Sequence, residues 1–291
     1  MNKNTGIYKY IKKLYKKIIW ELSAISPTLA TKILYFRVFK KRLNLKRPRS
    51  LNEKILYLKL NDYYNNPLIT QCADKVMVRE YVKKKGLSYI LNEKLLVVSN
   101  PLEIDYSILP NKFVMKCNHC SGGNIICRDK AKLDIEKTNR QLLEYLKEDY
   151  WKEYAEVNYK FIEKKIIVER FIETQNGNLP TDYRIMCCNG EPKFLYLTTW
   201  GITDTLERYY LDCDWVSLDI GNTKNLLKPE KPKKLSEMLD IARILSKDFK
   251  FVRVDLFNVE GKIYFGELTF TPTGALTKDF DNEIVNNLLI L

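Results

Sequence analysis

Three charged residues, Arg253, Asp255 and Glu267, sit inside two strongly apolar runs, Phe251-Val-Arg-Val-Asp-Leu-Phe257 and Lys262-Ile-Tyr-Phe-Gly-Glu-Leu-Thr269. Short runs rich in Val, Ile, Phe and Tyr on either side of a glycine-containing turn read as a β-hairpin. The turn Asn258-Val-Glu-Gly261 suits a type I turn followed by a left-handed glycine. That turn pairs Asn258 with Lys262, sets Arg253 opposite Glu267 and Asp255 opposite Phe265, and turns all three charges to one face. A four-residue loop would put Glu267 on the other face. Isolated buried charges cost several kcal/mol unless paired or bound to a metal. The pattern therefore points to chemistry, with a buried Arg253–Glu267 ion pair as the plain alternative that leaves Asp255 unexplained.

The rest of the chain bounds the fold. Its 291 residues, 45% hydrophobic and 29% charged, suit a globular protein with one large or two modest domains. It has no apolar run of membrane-spanning length and no signal-peptide pattern at its N-terminus, so a cytoplasmic location is expected. Seven irregularly spaced cysteines read as reduced thiols rather than a disulfide framework.

Much of the net charge of +13 lies in residues 1–49. The segment from Ile7 to Trp20 is an amphipathic helical pattern, lysines on one face and Ile, Leu, Tyr and Trp on the other. Two readings stay open: an anionic membrane surface bound through residues 1–25, peripheral to the inner face of the cytoplasmic membrane, or a solvated helix packed on its own domain. Nucleic acid is not expected, because no basic recognition motif follows.

Ser50 and Glu53 form a capping box for a helix, and a second helix is expected from Asp74 to about 85. Strands are expected near 113–116, 125–127, 165–171, 182–188, 192–199, 206–211, 251–257 and 262–269, with helices near 134–149, 235–247 and 281–290. The division expected is a basic helical segment, 1–47, an N-terminal subdomain, 48–111, and a nucleotide-binding and catalytic region, 112–291.

Lys116 ends a strand and precedes Ser121-Gly-Gly-Asn124. A lysine with a flexible run of backbone N–H groups makes a phosphate clamp, although the spacing is that of neither a P-loop nor a dinucleotide fingerprint, and a Ser-Gly-Gly hairpin turn is the bland alternative. Cys117, His119, Cys120 and Cys127 are zinc-type ligands, but without a second C-x2-C pair. His119 is the only histidine, which argues against a nucleophilic triad. Asp255 and Glu267 suit a hard cation such as magnesium, which commonly takes one or two carboxylates plus substrate phosphates.

In order, Ala73-Asp-Lys75, Lys116-Cys-Asn-His119, Ser121-Gly-Gly-Asn-Ile-Ile126, Val168-Glu-Arg-Phe-Ile172, Asn189-Gly-Glu-Pro-Lys-Phe194, Phe251-Val-Arg-Val-Asp255 and Gly266-Glu-Leu-Thr-Phe-Thr-Pro272 resemble the elements of the TupA-like ATP-grasp family of bacterial surface-polysaccharide biosynthesis. The resemblance spans roughly 35–291. It implies an α+β ATP-grasp fold in which two α+β subdomains clasp ATP. It also implies that Lys75 and Lys116 touch the phosphates under a closing loop of His119, Ser121, Gly122, Gly123 and Asn124. Glu169, Arg170, Phe171 and Ile172 would meet adenine, and Asp182 the ribose. Asp255, Glu267 and Thr269 would hold two Mg2+ ions, and Arg253 would steady charge at the reacting acyl centre. Arg184, Trp200 and Arg208 would face the acceptor. The implied reaction joins a carboxylate, such as a sugar uronic acid or polysaccharide precursor, to an amine through an acyl phosphate. A glycosyltransferase of the same pathways and a non-catalytic nucleotide-binding module at a membrane surface are the rival readings. Two departures stand out: Thr269 replaces a common asparagine, and Cys120 a common glycine.

Overall fold

The computed structural model describes residues 6–200, 206–221 and 226–289, with Ile7, Tyr8, Thr199, Trp200 and Leu206 described by backbone alone. Two antiparallel sheets organise it. The smaller runs β1 (Lys94–Val98), β4 (Ile166–Arg170), β2 (Phe113–Cys117), β3 (Asn124–Cys127) across its width. The larger runs β7 (Leu206–Asp212), β6 (Glu191–Trp200), β5 (Asp182–Cys188), β8 (Phe251–Val259), β9 (Lys262–Thr269). Each has its own apolar cluster. Phe113, Met115 and Cys117 alternate into the smaller core with Ile166 and Val168, while Val252, Val254 and Leu256 join the larger one. The alternation of period two turns Val114 and Lys116 the other way, onto a shared cleft.

Helices α1 (Gly6–Ile25) and α2 (Pro27–Phe39) break at Ser26, whose hydroxyl accepts from the Leu29 N–H, with Pro27 opening the second helix. In α3 (Leu51–Leu60) the capping box of Ser50 and Glu53 forms as expected. The helix anticipated from Asp74 instead starts at Val78, as α5 (Val78–Lys84), and an unanticipated helix, α4 (Pro67–Ala73), ends just before Asp74. Asp74 ends α4 in extended conformation, and its Oδ1 accepts from the Val76 and Met77 N–H groups. An aspartate offering its own side chain to the next two amides makes a turn there, and that turn carries Lys75. The remaining helices are α6 (Ile135–Lys147), α7 (Leu235–Ser246) and α8 (Glu283–Leu288); the expected end of the last at 290 lies outside the described residues.

The smaller sheet takes β1 from the segment assigned by sequence to a separate 48–111 subdomain, so that sheet crosses the expected boundary. Helices α3, α4 and α5 likewise share the larger core with β5 to β9.

Candidate active site

The hairpin of β8 and β9 differs from expectation in a way that decides the site. Its turn has two residues, Glu260 (φ 54°) and Gly261 (φ 82°), and pairs Val259 with Lys262. Positive φ at both central positions is the type I′ geometry that matches strand twist. Carried on unbroken, this register would put Glu267 opposite Val254, on the far face. A bulge between Asp255 and Leu256 corrects it: Leu256 faces Phe265, but Asp255 faces Glu267 and Arg253 faces Thr269. The pairings Arg253–Glu267 and Asp255–Phe265 are therefore wrong, while the three charges do share one face. Gly266 supplies the extra residue, and a β-carbon there would lie 2.9 Å from the Asp255 carbonyl oxygen.

On that face Arg253 is buried and fully engaged. Its Nε and Nη2 donate to Asp255 at 2.6 and 2.5 Å, Nη2 also reaches Glu267 Oε1 at 3.0 Å and Thr269 Oγ1 at 2.9 Å, and Nη1 reaches the Tyr196 hydroxyl at 3.2 Å. Thr269 donates to Glu267 Oε1 at 2.7 Å. Burial pushes the Asp255 carboxyl up to about 7 against the pull of Arg253, with Asp182 and Glu267 adding to the rise. Burial opposes charge on Glu267 as well, but Lys75 and then Arg253 outweigh it and hold Glu267 below the usual carboxylate range.

Across the cleft, Lys116 Nζ donates to Glu169 at 2.7 Å, and Arg79 donates to the other oxygen of the same carboxylate at 2.9 Å and to the Asn92 carbonyl at 2.6 Å. Arg79 and Asn92 were not singled out in the sequence. Neither belongs to a motif; their roles follow from helix α5 lying against the end of β4. Lys75 Nζ donates to the Cys120 carbonyl. The Lys75 turn is pinned to the strand below it, because Asn118 donates to Asp74 at 2.9 Å and the Lys75 N–H donates to the Asn118 carbonyl at 3.3 Å.

Between the sheets lies a cleft of about 410 Å³. Lys75, Lys116, Ser121, Gly122, Asn124, Glu169, Arg170, Phe171, Ile172, Asp182, Arg184, Asp255 and Glu267 line it, so the structure brings together residues that the sequence scatters over almost 200 positions. Arg253 and Thr269 stand behind Asp255 and Glu267, and Gly123 behind the loop. His119 does not reach the cleft. It is buried with Nε2 against the Glu148 carbonyl at 3.2 Å, and burial followed by the Lys164 charge pulls its pKa down to about 4. Arg208 does not line this cleft; it donates to Asp279 at 2.9 Å beside the Tyr210 hydroxyl and lies over the Tyr196 ring, as Arg184 does, each 5.7 Å from its centroid. Trp200 closes β6, its side chain outside the described residues. Among the described residues no group of three or more His, Cys, Asp or Glu could hold a metal, so the zinc-type set of Cys117, His119, Cys120 and Cys127 does not assemble.

A nucleotide and a hard cation fit what is present. Asp182 Oδ1 is buried with no hydrogen-bond partner while its other oxygen takes Arg184 at 2.7 Å, which leaves an acceptor in the cleft wall for a hydroxyl. Asp255 and Glu267 offer the pair of carboxylates that magnesium uses alongside phosphate oxygens.

The model of the TupA-like ATP-grasp family matches residues 53–289. The chain belongs to that family. The ATP-grasp fold follows, with its two sheets on either side of the cleft. Solved structures of similar shape include an L-amino acid ligase from Bacillus licheniformis, at 13% identity and TM-score 0.48 over 90% of this chain and 61% of the other. A D-alanine–D-alanine ligase from Bacillus anthracis complexed with ATP matches at 16% identity and TM-score 0.40, over 69% of this chain and 55% of the other. The ATP-grasp ligase PsnB, complexed with a minimal precursor, matches at 10% identity and TM-score 0.43, over 78% and 62%. The chain thus spans less than two thirds of each of these ligases. A search of curated proteins found none that matches.

Proposed function

We propose that this TupA-like ATP-grasp protein is an ATP- and magnesium-dependent carboxylate–amine ligase that forms an amide and releases ADP. The observation that carries this reading is the convergence of two charge sets on one cleft, the lysines Lys75 and Lys116 and the carboxylates Asp255 and Glu267. Lys75 and Lys116 neutralise the phosphates, and the backbone of Ser121 to Asn124 closes over them. The backbone of Glu169 to Ile172 meets adenine, and Asp182 takes a ribose hydroxyl. Asp255 and Glu267 hold magnesium, which when bound offsets charge on the transferring phosphoryl group. The Thr269 hydroxyl is committed to Glu267 and Arg253, so it orients Glu267 rather than completing a second ion's shell. Arg253, held by five polar contacts, presents fixed positive charge near the acyl centre. Substrate carboxylate attacks the γ-phosphate, and an amine then displaces phosphate, so no protein nucleophile is needed. The family resemblance further favours a uronic acid or polysaccharide precursor as the acid.

A panel of uronic acids crossed with amino acids and amino alcohols, assayed for ADP release with product mass determination, tests this. ADP release requiring acid, amine and magnesium together is expected. Hydrolysis of a sugar nucleotide without ATP turnover would instead establish the glycosyltransferase reading.

A second reading concerns α1, where both sequence alternatives find support. Ile19 and Ser23 are buried, Lys16 pairs with Glu153 at 3.3 Å and Lys152 lies over the Trp20 ring, so one face packs on the protein. Ile11, Leu14 and Ile18 form a second apolar stripe that stays about half exposed, with Lys13 and Lys17 beside it. No helix among the described residues is long and apolar enough to cross a membrane. The stripe and its lysines suit peripheral docking on anionic lipid. Salt-sensitive binding to phosphatidylserine vesicles, lost on deleting residues 1–25, is the expected result; equal binding by the truncated chain would refute it.

A further inference from the structure

The loop that closes on phosphate carries a thiol pair that the proposed ligase chemistry does not use. Cys117 is the last residue of β2, and Cys120 lies three residues on, where the strand gives way to Ser121-Gly-Gly123. Both are buried in one cluster, at 0% and 6% exposure. The Cys120 thiol lies 4.0 Å from the Cys117 carbonyl oxygen and folds back over Gly123, where a β-carbon would come within 2.8 Å of its sulfur and 3.6 Å of the Cys117 β-carbon. Gly122 (φ 79°) and Gly123 (φ 59°) adopt the left-handed conformation that lets the chain return over the pair, and the Cys117 N–H donates to the Gly123 carbonyl at 3.2 Å. The two thiols also differ in acidity: a hydrogen bond from Cys117 comes first among the causes that hold Cys120 below the usual thiol range, with Lys75 assisting against burial, while the same bond and burial push Cys117 up. A C-x-x-C pair with one sulfur favoured as thiolate is the arrangement of thiol–disulfide exchange.

We propose that Cys117 and Cys120 form a reversible disulfide on exposure to a low-molecular-weight disulfide such as glutathione disulfide, and that the bond weakens nucleotide binding by fixing the phosphate loop. The nucleotide half of this rests on the ATP reading above. The Cys120 thiolate attacks one glutathione sulfur, breaking the S–S bond and releasing a glutathione thiolate that takes the Cys117 proton. The Cys117 sulfur then attacks the Cys120 sulfur and expels the second glutathione, which takes a proton from water. Two protein thiols are oxidised and one glutathione disulfide is reduced to two glutathiones. The new bond draws in the residue whose carbonyl accepts from Lys75 and whose neighbour is Ser121, so Lys75 and the loop lose their freedom to meet phosphate. Ser121 and Gly122, which follow Cys120 directly, are exposed and line the cleft, so Mg·ADP bound there would shield Cys120 as well.

The test treats the full chain with glutathione disulfide, with and without Mg·ADP, blocks remaining thiols with iodoacetamide and maps peptides by mass. A Cys117–Cys120 disulfide, slowed by Mg·ADP and removed by dithiothreitol, is expected, with a trapped glutathione adduct on Cys120 in Cys117→Ala. The Kd for Mg·ADP by calorimetry should rise about tenfold on oxidation in the wild type and stay unchanged in Cys120→Ala. Full alkylation of both thiols after treatment, or an unchanged Kd in the mapped disulfide form, overturns the proposal. Reduced protein that binds no nucleotide overturns the ATP reading and the regulatory effect with it, while the disulfide map is read independently.

Discussion

The α-carbon of Gly266 packs against the Asp255 carbonyl so closely that a β-carbon there would sit 2.9 Å from the oxygen. This contact fixes the bulge that swings Glu267 onto the face of Arg253 and Asp255. Gly266→Ala should therefore cost about 1–3 kcal/mol as the backbone shifts to relieve overlap. Turnover in the proposed ligase reaction should fall further than the stability loss explains, because the carboxylates separate. Urea unfolding beside ADP-release kinetics checks both; wild-type turnover in a folded variant would show that the bulge does not set the site.

Glu267→Gln keeps the size of the side chain and its contacts with Arg253 and Thr269 while removing the charge. Turnover should drop about 10²–10³-fold, the range seen when a preorganised electrostatic group is lost. Calorimetric titration with magnesium and ADP should show weakened metal dependence. Asp255→Asn should be equally inactive and less stable, since it removes one of the two carboxylates that pair with the buried Arg253 guanidinium.

Lys116 and Arg79 share the Glu169 carboxylate but differ in what else they do. Lys116 is the more exposed of the two and lies on the cleft strand; Arg79 also ties α5 to the Asn92 carbonyl. Lys116→Met should raise the Kd for ADP by about tenfold or more with little change in stability. Arg79→Met should weaken nucleotide binding and destabilise by roughly 1–3 kcal/mol, because a buried charged contact is removed. Equal stability loss in both variants would contradict this division.

His119 is neutral and buried, its pKa drawn from 6.5 to about 4. Between those values the unfolded chain binds more protons than the folded one, so this contribution to stability is complete above about pH 6.5 and is lost as pH falls through about 4. At pH 5 the loss should be roughly 2 kcal/mol. Urea titrations at pH 7.5 and 5.0 measure it, and His119→Gln should flatten that part of the profile.

Much of the scaffold is legible from residue pattern. The capping box at Ser50 and the strand runs stand in the sequence because they depend on near neighbours and on period-two alternation. The shared face of Arg253, Asp255 and Glu267 is legible too, but for an incomplete reason: the turn is shorter than its composition suggested, and the glycine inside β9 restores the face. A glycine within a strand is the available signal for such a bulge. Strand β1 and the turn at Asp74 escape pattern because partners distant in sequence, β4 and Asn118, determine them. Tyr196, Arg79 and Asn92 escape for the same reason. His119 belongs to a motif that points to the site, yet its buried contact with Glu148 turns it away from the cleft.

The order of the larger sheet bears on how the molecule is made. Strand β5 sits between β6 and β8, and β8 between β5 and β9, so the central strand waits for partners about 70 residues further along the chain. Such long loops close slowly, and domains of this kind are completed only as their later segments leave the ribosome. A nascent chain therefore makes the lysines of the cleft, Lys75 and Lys116, before its carboxylates, Asp255 and Glu267. Until then β5 can pair with β6 alone, and its other edge stays without the partner that β8 provides.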